Sequence, residues 1–248
     1  MHFKKYQKAI AILCSFFIIV LATGFLFYKG FIRINTPSKA DSPVRGVDLS
    51  SYQGDVDWEV LSKQDISFAF IKATEGSSYI DPKYKENIEN ALKTNLRVGV
   101  YHFFSFESSG AQQAEHFIDT VAITENMLPP VVDIEYYADY KSNPPDKESV
   151  QKNLKELLEK LESRYGMKPI IYATQSSFKR YISGSFSEYD IWIRDVYFTP
   201  KLNDNREWTF WQYSDKEKLD GYNGVEKYID MNVFNGSLEE FRKYGKAN

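Results

Sequence analysis

An unbroken apolar opening gives way, further along this chain, to two alternating periodicities. Residues 9–28 (AIAILCSFFIIVLATGFLFY) are apolar throughout, with Lys8 and Lys29 at their ends. A helix of this length rises about 30 Å, the thickness of a bilayer's hydrocarbon core. A helix buried in a soluble domain has one apolar stripe, whereas this run is apolar on every side. Lys4, Lys5 and Lys8 form a basic leader, and Ala22 and Gly24 have the spacing of a signal cleavage site after Gly24. An uncleaved anchor and a cleaved signal are therefore both open, and the continuation of the run through Phe25 to Tyr28 favours the anchor. Cys14 follows Leu13 early in the run, which is no place for a lipidated cysteine, so it reads as membrane packing. Lys29, Arg33, Lys39 and Arg45 balance the leader's lysines, and the positive-inside rule sets no orientation. Residues 29–44, with Asn35, Pro37, Ser38, Ser42 and Pro43, lack periodicity and read as a stalk.

From residue 45 onward, short runs rich in Val, Ile, Phe and Tyr alternate with helical patterns. Strands are expected at 45–49, 68–72, 97–104, 131–135, 169–173, 190–194, 208–213 and 228–233. Helices are expected at 57–64, 81–95, 109–121, 149–165, 175–182 and 237–244. Asp81 with Pro82 marks one start, and Ser109 with Gln112 another as a capping box. Val150, Leu154, Leu157, Leu158 and Leu161 share one face, and Gly166 ends that helix. Segments 195–207 and 214–227 read as loops. The order predicts an α/β fold: a closed parallel (β/α)8 TIM-like barrel, flattened and irregular where two outer helices are missing, after one N-terminal transmembrane helix. The alternative is an open doubly wound sheet, but no glycine-rich turn follows the first strand.

Composition narrows the chemistry. The chain has 248 residues and a formal net charge of −3. Seven of its 31 basic residues but only one of its 34 acidic residues lie in 1–45, so the remainder is net negative by nine. That balance argues against nucleic-acid partners. One cysteine excludes an internal disulfide and a multi-thiolate zinc site, and His2, His102 and His116 lack a zinc-binding spacing. No G-x-S-x-G elbow and no phosphate-cradling glycine loop is present.

In such a barrel the chemistry sits at the carboxyl ends of the strands, and acids cluster there: Asp48, the pair Asp133 and Glu135, and Asp230. Residues two apart on a strand point the same way, about 6.6 Å apart, with Val132 and Ile134 turned to the helices. Two acids held side by side at an apolar mouth cannot both ionise cheaply, which suits a general acid. An ordinary salt-bridged pair is the plainer alternative. Tyr101, Phe103, Tyr172, Trp192 and Tyr213, near strand ends, offer apolar faces to sugars. His102 reads equally as a structural hydrogen-bonder or a site residue, and His116, mid-helix, as structural.

Six short motifs then fall in one order: 46–53 (GVDLSSYQ), 70–76 (FIKATEG) with 79–82 (YIDP), 100–103 (VYHF), 132–135 (VDIE), 211–214 (WQYS) and 229–232 (IDMN). Residues 45–245 thereby resemble the glycoside hydrolase family 25 lysozymes, the Chalaropsis-type N-acetylmuramidases. The resemblance implies hydrolysis of the β-1,4 bond between N-acetylmuramic acid and N-acetylglucosamine in peptidoglycan, without metal or organic cofactor. It implies Glu135 as general acid, Asp133 as its neighbour, and Asp48 and Asp230 as acids lining the groove. It places Tyr52, Gln53, Lys72, Glu75, Tyr101, His102, Tyr172, Trp192 and Gln212 among the substrate-binding side chains. The nucleophile stays open between an aspartate and the substrate's own N-acetyl carbonyl; the side-by-side acids resemble substrate-assisted glycosidases, with net retention. One departure is Arg194, where the family has a small residue; a cation there re-charges one end of the groove. A substrate outside the membrane implies a cytoplasmic tail at 1–8, an anchor or signal at 9–28, a stalk at 29–44 and an extracellular barrel at 45–248; the sequence leaves the oligomeric state open, with a monomer expected. The rival readings are a non-catalytic wall-binding module and a glycosidase for another amino-sugar polymer such as chitin.

Overall fold

Alternation along each strand, one side chain inward and the next outward, accounts for most of the architecture. The computed structural model describes residues 2–29, 32 and 35–246, with no account of side chains before Tyr6. The chain divides into two compact units, Met1–Thr36 and Pro37–Asn248. In the first, helix α1 spans His2–Tyr28, and its stretch Tyr6–Tyr28 is long and apolar enough to cross a membrane, with exposed side chains including Cys14. The side chains of Lys4 and Lys5, the cation Arg33 and part of the stalk lie outside the described residues.

In the second unit nine strands form one sheet. They are β1 (Arg45–Leu49), β2 (Phe68–Glu75), β3 (Tyr79–Ile80), β4 (Arg97–Phe103), β5 (Val131–Ile134), β6 (Ile170–Thr174), β7 (Ile191–Arg194), β8 (Phe210–Glu217) and β9 (Ile229–Phe234). Their order is β1-β9-β8-β7-β6-β5-β4-β2-β3, and pairing of β1 with β2 closes eight of them into a barrel, with β3 attached to the end of β2. Helices α2 (Trp58–Ser62), α3 (Tyr84–Ala91), α4 (Gly110–Thr120), α5 (Lys147–Tyr165) and α6 (Gln175–Ser177, continued by a π turn over Phe178–Ile182) follow successive strands. Only loops follow β7 and β8, and α7 (Leu238–Lys243) follows β9.

The expectation of an all-parallel barrel needs correction. β1, β2, β4, β5, β6, β7 and β8 are mutually parallel, but β9 runs antiparallel to both neighbours, β1 and β8. A parallel partner needs a crossover, usually helical, and residues 218–228 form none; a direct return reverses the strand. The reversal decides the site, because the start of β9, not its end, then stands beside the ends of the other strands. Two helix starts also shift. Asp81 is not the cap of α3: its carboxylate accepts the backbone N–H of Lys83 and of Ser51, tying the turn before α3 to the loop after β1. Helix α5 begins earlier than predicted, capped by Asp146.

Outward side chains such as Ile71, Val100, Val132, Ile171 and Ile193 pack with Phe117 of α4 and Leu154, Leu157, Leu158 and Leu161 of α5. Inward ones form a second, mostly aromatic core: Phe68, Phe70, Val131, Ile170, Tyr172, Trp192 and Phe210. Phe70 stacks on Trp192 at 4.5 Å between centroids, and Tyr172 meets Trp192 edge-on at 4.6 Å. Phe234, Phe241 and Tyr244 close the opposite end, where the Arg97 guanidinium donates to the carbonyls of Phe241 and Tyr244 at the end of α7.

Rings this large fit only because their neighbours lack side chains. A Cβ on Gly99 would lie 2.4 Å from the Phe70 ring and 3.1 Å from Leu128 Cβ. Overfilling a packed core destabilises by about 1–3 kcal/mol, so Gly99→Ala should lower the thermal midpoint measurably. An unchanged melt would mean that the Phe70–Trp192 stack yields freely.

Candidate active site

The ends of the parallel strands and the start of β9 surround a cavity of about 370 Å³. Its walls include Asp48, Asp133, Glu135, Asp230, Lys72, Tyr101, Tyr172, Trp192, Gln212, Tyr52 and Gln53. All four candidate acids thus meet in one place. Asp48 and Asp230 are register partners on β1 and β9, a pairing available only because β9 is reversed. Asp133 faces inward from β5 and Glu135 follows one inward position later.

Two predicted binding residues are not among these walls. Glu75 sits beside the opening, where its carboxylate pairs with Lys72 Nζ at 2.6 Å. His102 is wholly buried on the outward face between the inward Tyr101 and Phe103, so the expectation that it lines the groove is corrected. Gln113 Oε1 accepts from the Ser105 N–H, and its amide nitrogen donates to the carbonyls of Ser105 and Ser108. His102 Nε2 therefore carries the proton toward Gln113 Oε1 at 3.0 Å, and Nδ1 accepts from the Thr74 hydroxyl at 2.8 Å. Burial pushes this imidazole down to about 4, leaving a neutral strut. Tyr213 also points outward into the core and offers no face to a sugar, whereas Phe103 does line the cavity. Leu49, Ser50, Asp215 and Glu226 were not anticipated; Asp215 lies on β8 among register shifts, and Glu226 on the segment before β9, and no local pattern reveals either placement.

Amide side chains organise the acids. Gln212 Oε1 accepts from the Tyr172 hydroxyl at 3.1 Å, while Nε2 reaches both Asp48 oxygens at 3.0 and 3.1 Å and Asp230 Oδ2 at 3.1 Å. Asn232 Nδ2 donates to Asp48 Oδ1 at 2.7 Å, and Asn232 Oδ1 accepts from Trp192 Nε1 at 2.8 Å. Burial raises the proton affinity of Asp48, and the bonds from Gln212 and Asn232 oppose it. Asp230 is raised well above the carboxylate range by burial and then by the charge of Asp48.

Across the cavity, burial pushes Asp133 far up, the charge of Glu135 adds to this, and Lys72 opposes it. Asp133 Oδ1 is buried with no hydrogen-bond partner. Glu135 is raised by burial, with Arg194 and Lys72 opposing and Asp48 reinforcing. Lys72 Nζ lies 4.9 Å over the Phe103 ring, a second contact holding its cation beside these acids. Arg194, paired with Asp215 at 2.7 Å, puts its charge at the end of β7. The arrangement therefore offers a carboxyl group whose proton affinity burial raises, a neighbouring carboxyl group with an unused oxygen, and an aromatic floor.

Comparison with known proteins agrees with this geometry. The profile of glycosyl hydrolases family 25 matches residues 47–222. The chain belongs to that family. A family 25 glycosyl hydrolase from Bacillus anthracis shares 53% identity and superposes with a TM-score of 0.81, over 85% of this chain and 97% of that one. The bacterial lysozyme from Streptomyces coelicolor shares 29% identity with a TM-score of 0.73, over 82% of this chain and 96% of that one. Lysozyme M1 of Streptomyces globisporus is 30% identical, over 79% of this chain and 69% of its own length. As a family 25 enzyme this chain is a glycoside hydrolase with a closed eight-stranded α/β barrel, and its four cavity acids are available for glycosidic chemistry.

Proposed function

We propose that this glycoside hydrolase is a muramidase that cleaves the β-1,4 bond between N-acetylmuramic acid and N-acetylglucosamine, with Glu135 as general acid and the substrate's N-acetyl group as nucleophile. The observation that carries this reading is the pair at the end of β5: Glu135, its proton affinity raised by burial, lines the cavity beside an Asp133 whose buried Oδ1 lacks a partner. Glu135 gives its proton to the bridging oxygen as the C1–O bond breaks. Asp133 Oδ1 accepts the acetamido N–H, which turns the carbonyl oxygen toward C1 and stabilises the oxazolinium formed when that oxygen bonds to C1. The Glu135 carboxylate then removes a proton from water, which adds to C1 as the C1–O(acetamido) bond opens. Two displacements at C1 restore the β configuration. Trp192 and Tyr172, at the cavity floor, supply apolar faces for the sugar, and Lys72 with Glu75 bounds one side.

The relatives named as lysozymes and the net-negative barrel favour peptidoglycan over nucleic acid as partner. For the other unit, the exposed apolar surface of α1 supports a membrane anchor, and a peptidoglycan substrate then calls for the amino terminus inside and the barrel outside. Tethering would then supply the local concentration that a wall-binding repeat gives elsewhere. Protease shaving of intact cells should remove the barrel; its survival would reverse the orientation.

The test of the chemistry is the product. Purified peptidoglycan digested with the enzyme should yield muramic-acid reducing ends by mass spectrometry, and proton NMR should show the β anomer first. Glucosamine reducing ends would overturn the bond assignment. An α anomer formed first would overturn substrate assistance.

A further inference from the structure

We propose that Asn232 is a positioning residue for the acid: its amide, oriented by Trp192, holds the Asp48 carboxylate as the fixed negative charge that keeps the proton on Glu135. The inference rests on the reading of Glu135 as general acid. Asn232 is fully buried and is not among the cavity walls, so it acts on the reaction only through a neighbour. An indole N–H can only donate, so the bond from Trp192 Nε1 fixes which end of the Asn232 amide is oxygen. The amide nitrogen is thereby committed to Asp48 Oδ1. Gln212 is committed in the same sense, because turning it over would set its oxygen against Asp48 and Asp230 together.

Asp48 thus receives N–H donors from two residues, while Asp230 receives one. Two carboxyls paired on adjacent strands cannot both ionise cheaply. Donors that crowd one of them select it as the anion and leave the proton to the other. The aromatic floor is therefore coupled to the acids through Trp192–Asn232–Asp48 and Tyr172–Gln212–Asp48. The charged groups around this pair enter the balance: Asp215 of β8, Arg194 of β7, Lys72 of β2, Asp133 with Glu135 from β5 and Glu226 from the segment before β9, with the hydroxyls of Tyr101 and Tyr172 between. Among these, the charge of Asp48 raises the proton affinity of Glu135 while Arg194 and Lys72 lower it.

Removing the Asn232 donor lets Asp48 hold a proton more readily, and the charge that sustains Glu135 fades. The alkaline limb of activity, which reports loss of the acid's proton, should then move to lower pH. Initial rates of the full chain in detergent, on sub-saturating peptidoglycan, would be followed across pH for wild type, Asn232→Leu, Trp192→Phe and Glu135→Gln. Asn232→Leu should move the limb down by about one pH unit. Trp192→Phe keeps an aromatic ring on the floor but removes the orienting N–H together with part of the indole, so its overall rate should fall while the limb moves the same way by less, and the position of the limb decides the matter if the leucine variant fails to fold. A purely structural role for Asn232 would lower the rate at every pH and leave the limb in place. An unmoved or upward-moving limb in folded variants, with Glu135→Gln inactive, overturns the inference alone. An active Glu135→Gln overturns the reading beneath it.

Discussion

Glu135→Gln should reduce peptidoglycan hydrolysis by about 10³-fold while the protein still pellets with the wall. The substitution keeps the size of the side chain and removes the proton that the proposed acid gives to the bridging oxygen. Glu135 lies at the edge of the cavity, half-buried, where burial raises its proton affinity against the pull of Arg194 and Lys72. A rate that needs the protonated form falls as pH rises through the group's native value. The glutamine variant should show a low, flat profile without that limb. A leaving group that needs no proton separates the acid's role from substrate binding. On an aryl glycoside with an acidic phenol the variant should lose far less activity than on peptidoglycan. Activity within about tenfold of wild type on peptidoglycan would remove Glu135 from this role, since a general acid contributes at least about 10².

The sequence made the inner face of the barrel legible because strand alternation is a strict period. Asp133 and Glu135 were expected to share a face, with Val132 and Ile134 toward the helices, and they do. The same period places His102 and Tyr213 outward, next to the inward Tyr101 and Gln212, so the motif and the alternation disagreed and the alternation prevailed. It would also have found Asn232, two residues after Asp230 and therefore on the same face. The direction of β9 was not legible, because no local residue preference distinguishes a strand from its reverse. Only the shortness of the connection between β8 and β9 hinted at it, since the longer helix-free segment between β7 and β8 returns parallel. Without that reversal Asp230 would sit at the far end of the barrel from Asp48, and the four-acid cavity would not exist. The cation of Arg194 was legible, but its pairing with Asp215 depends on register shifts within β8 that sequence spacing does not encode.

Asp133→Asn should separate stability from catalysis in opposite directions. Asp133 is buried beside Glu135, and burial followed by that neighbour's charge raises its proton affinity well above the carboxylate range. The folded protein therefore holds a proton on Asp133 at pH values where the unfolded chain has released it. Stability falls as pH rises from the ordinary carboxylate range toward the native value, because the native state binds the extra proton. An amide cannot ionise, so the variant loses this slope. Near pH 7 it should melt higher than wild type by about 2–4 °C, on the order of 1 kcal/mol for a domain of this size, and the difference should vanish near pH 4. Activity should move the other way. Asn can still turn an oxygen toward the acetamido N–H, but unlike Asp133 it has no proton to release to solvent as the substrate docks, so it cannot become the anion that an oxazolinium needs opposite it, and a buried charge-assisted hydrogen bond is roughly twice as strong as a neutral one. We expect about a 10²-fold loss of rate. A variant that is less stable at pH 7 would show that Asp133 is ionised and well paired in the folded state. Full activity would mean that the acetamido group is oriented by another residue of the cavity.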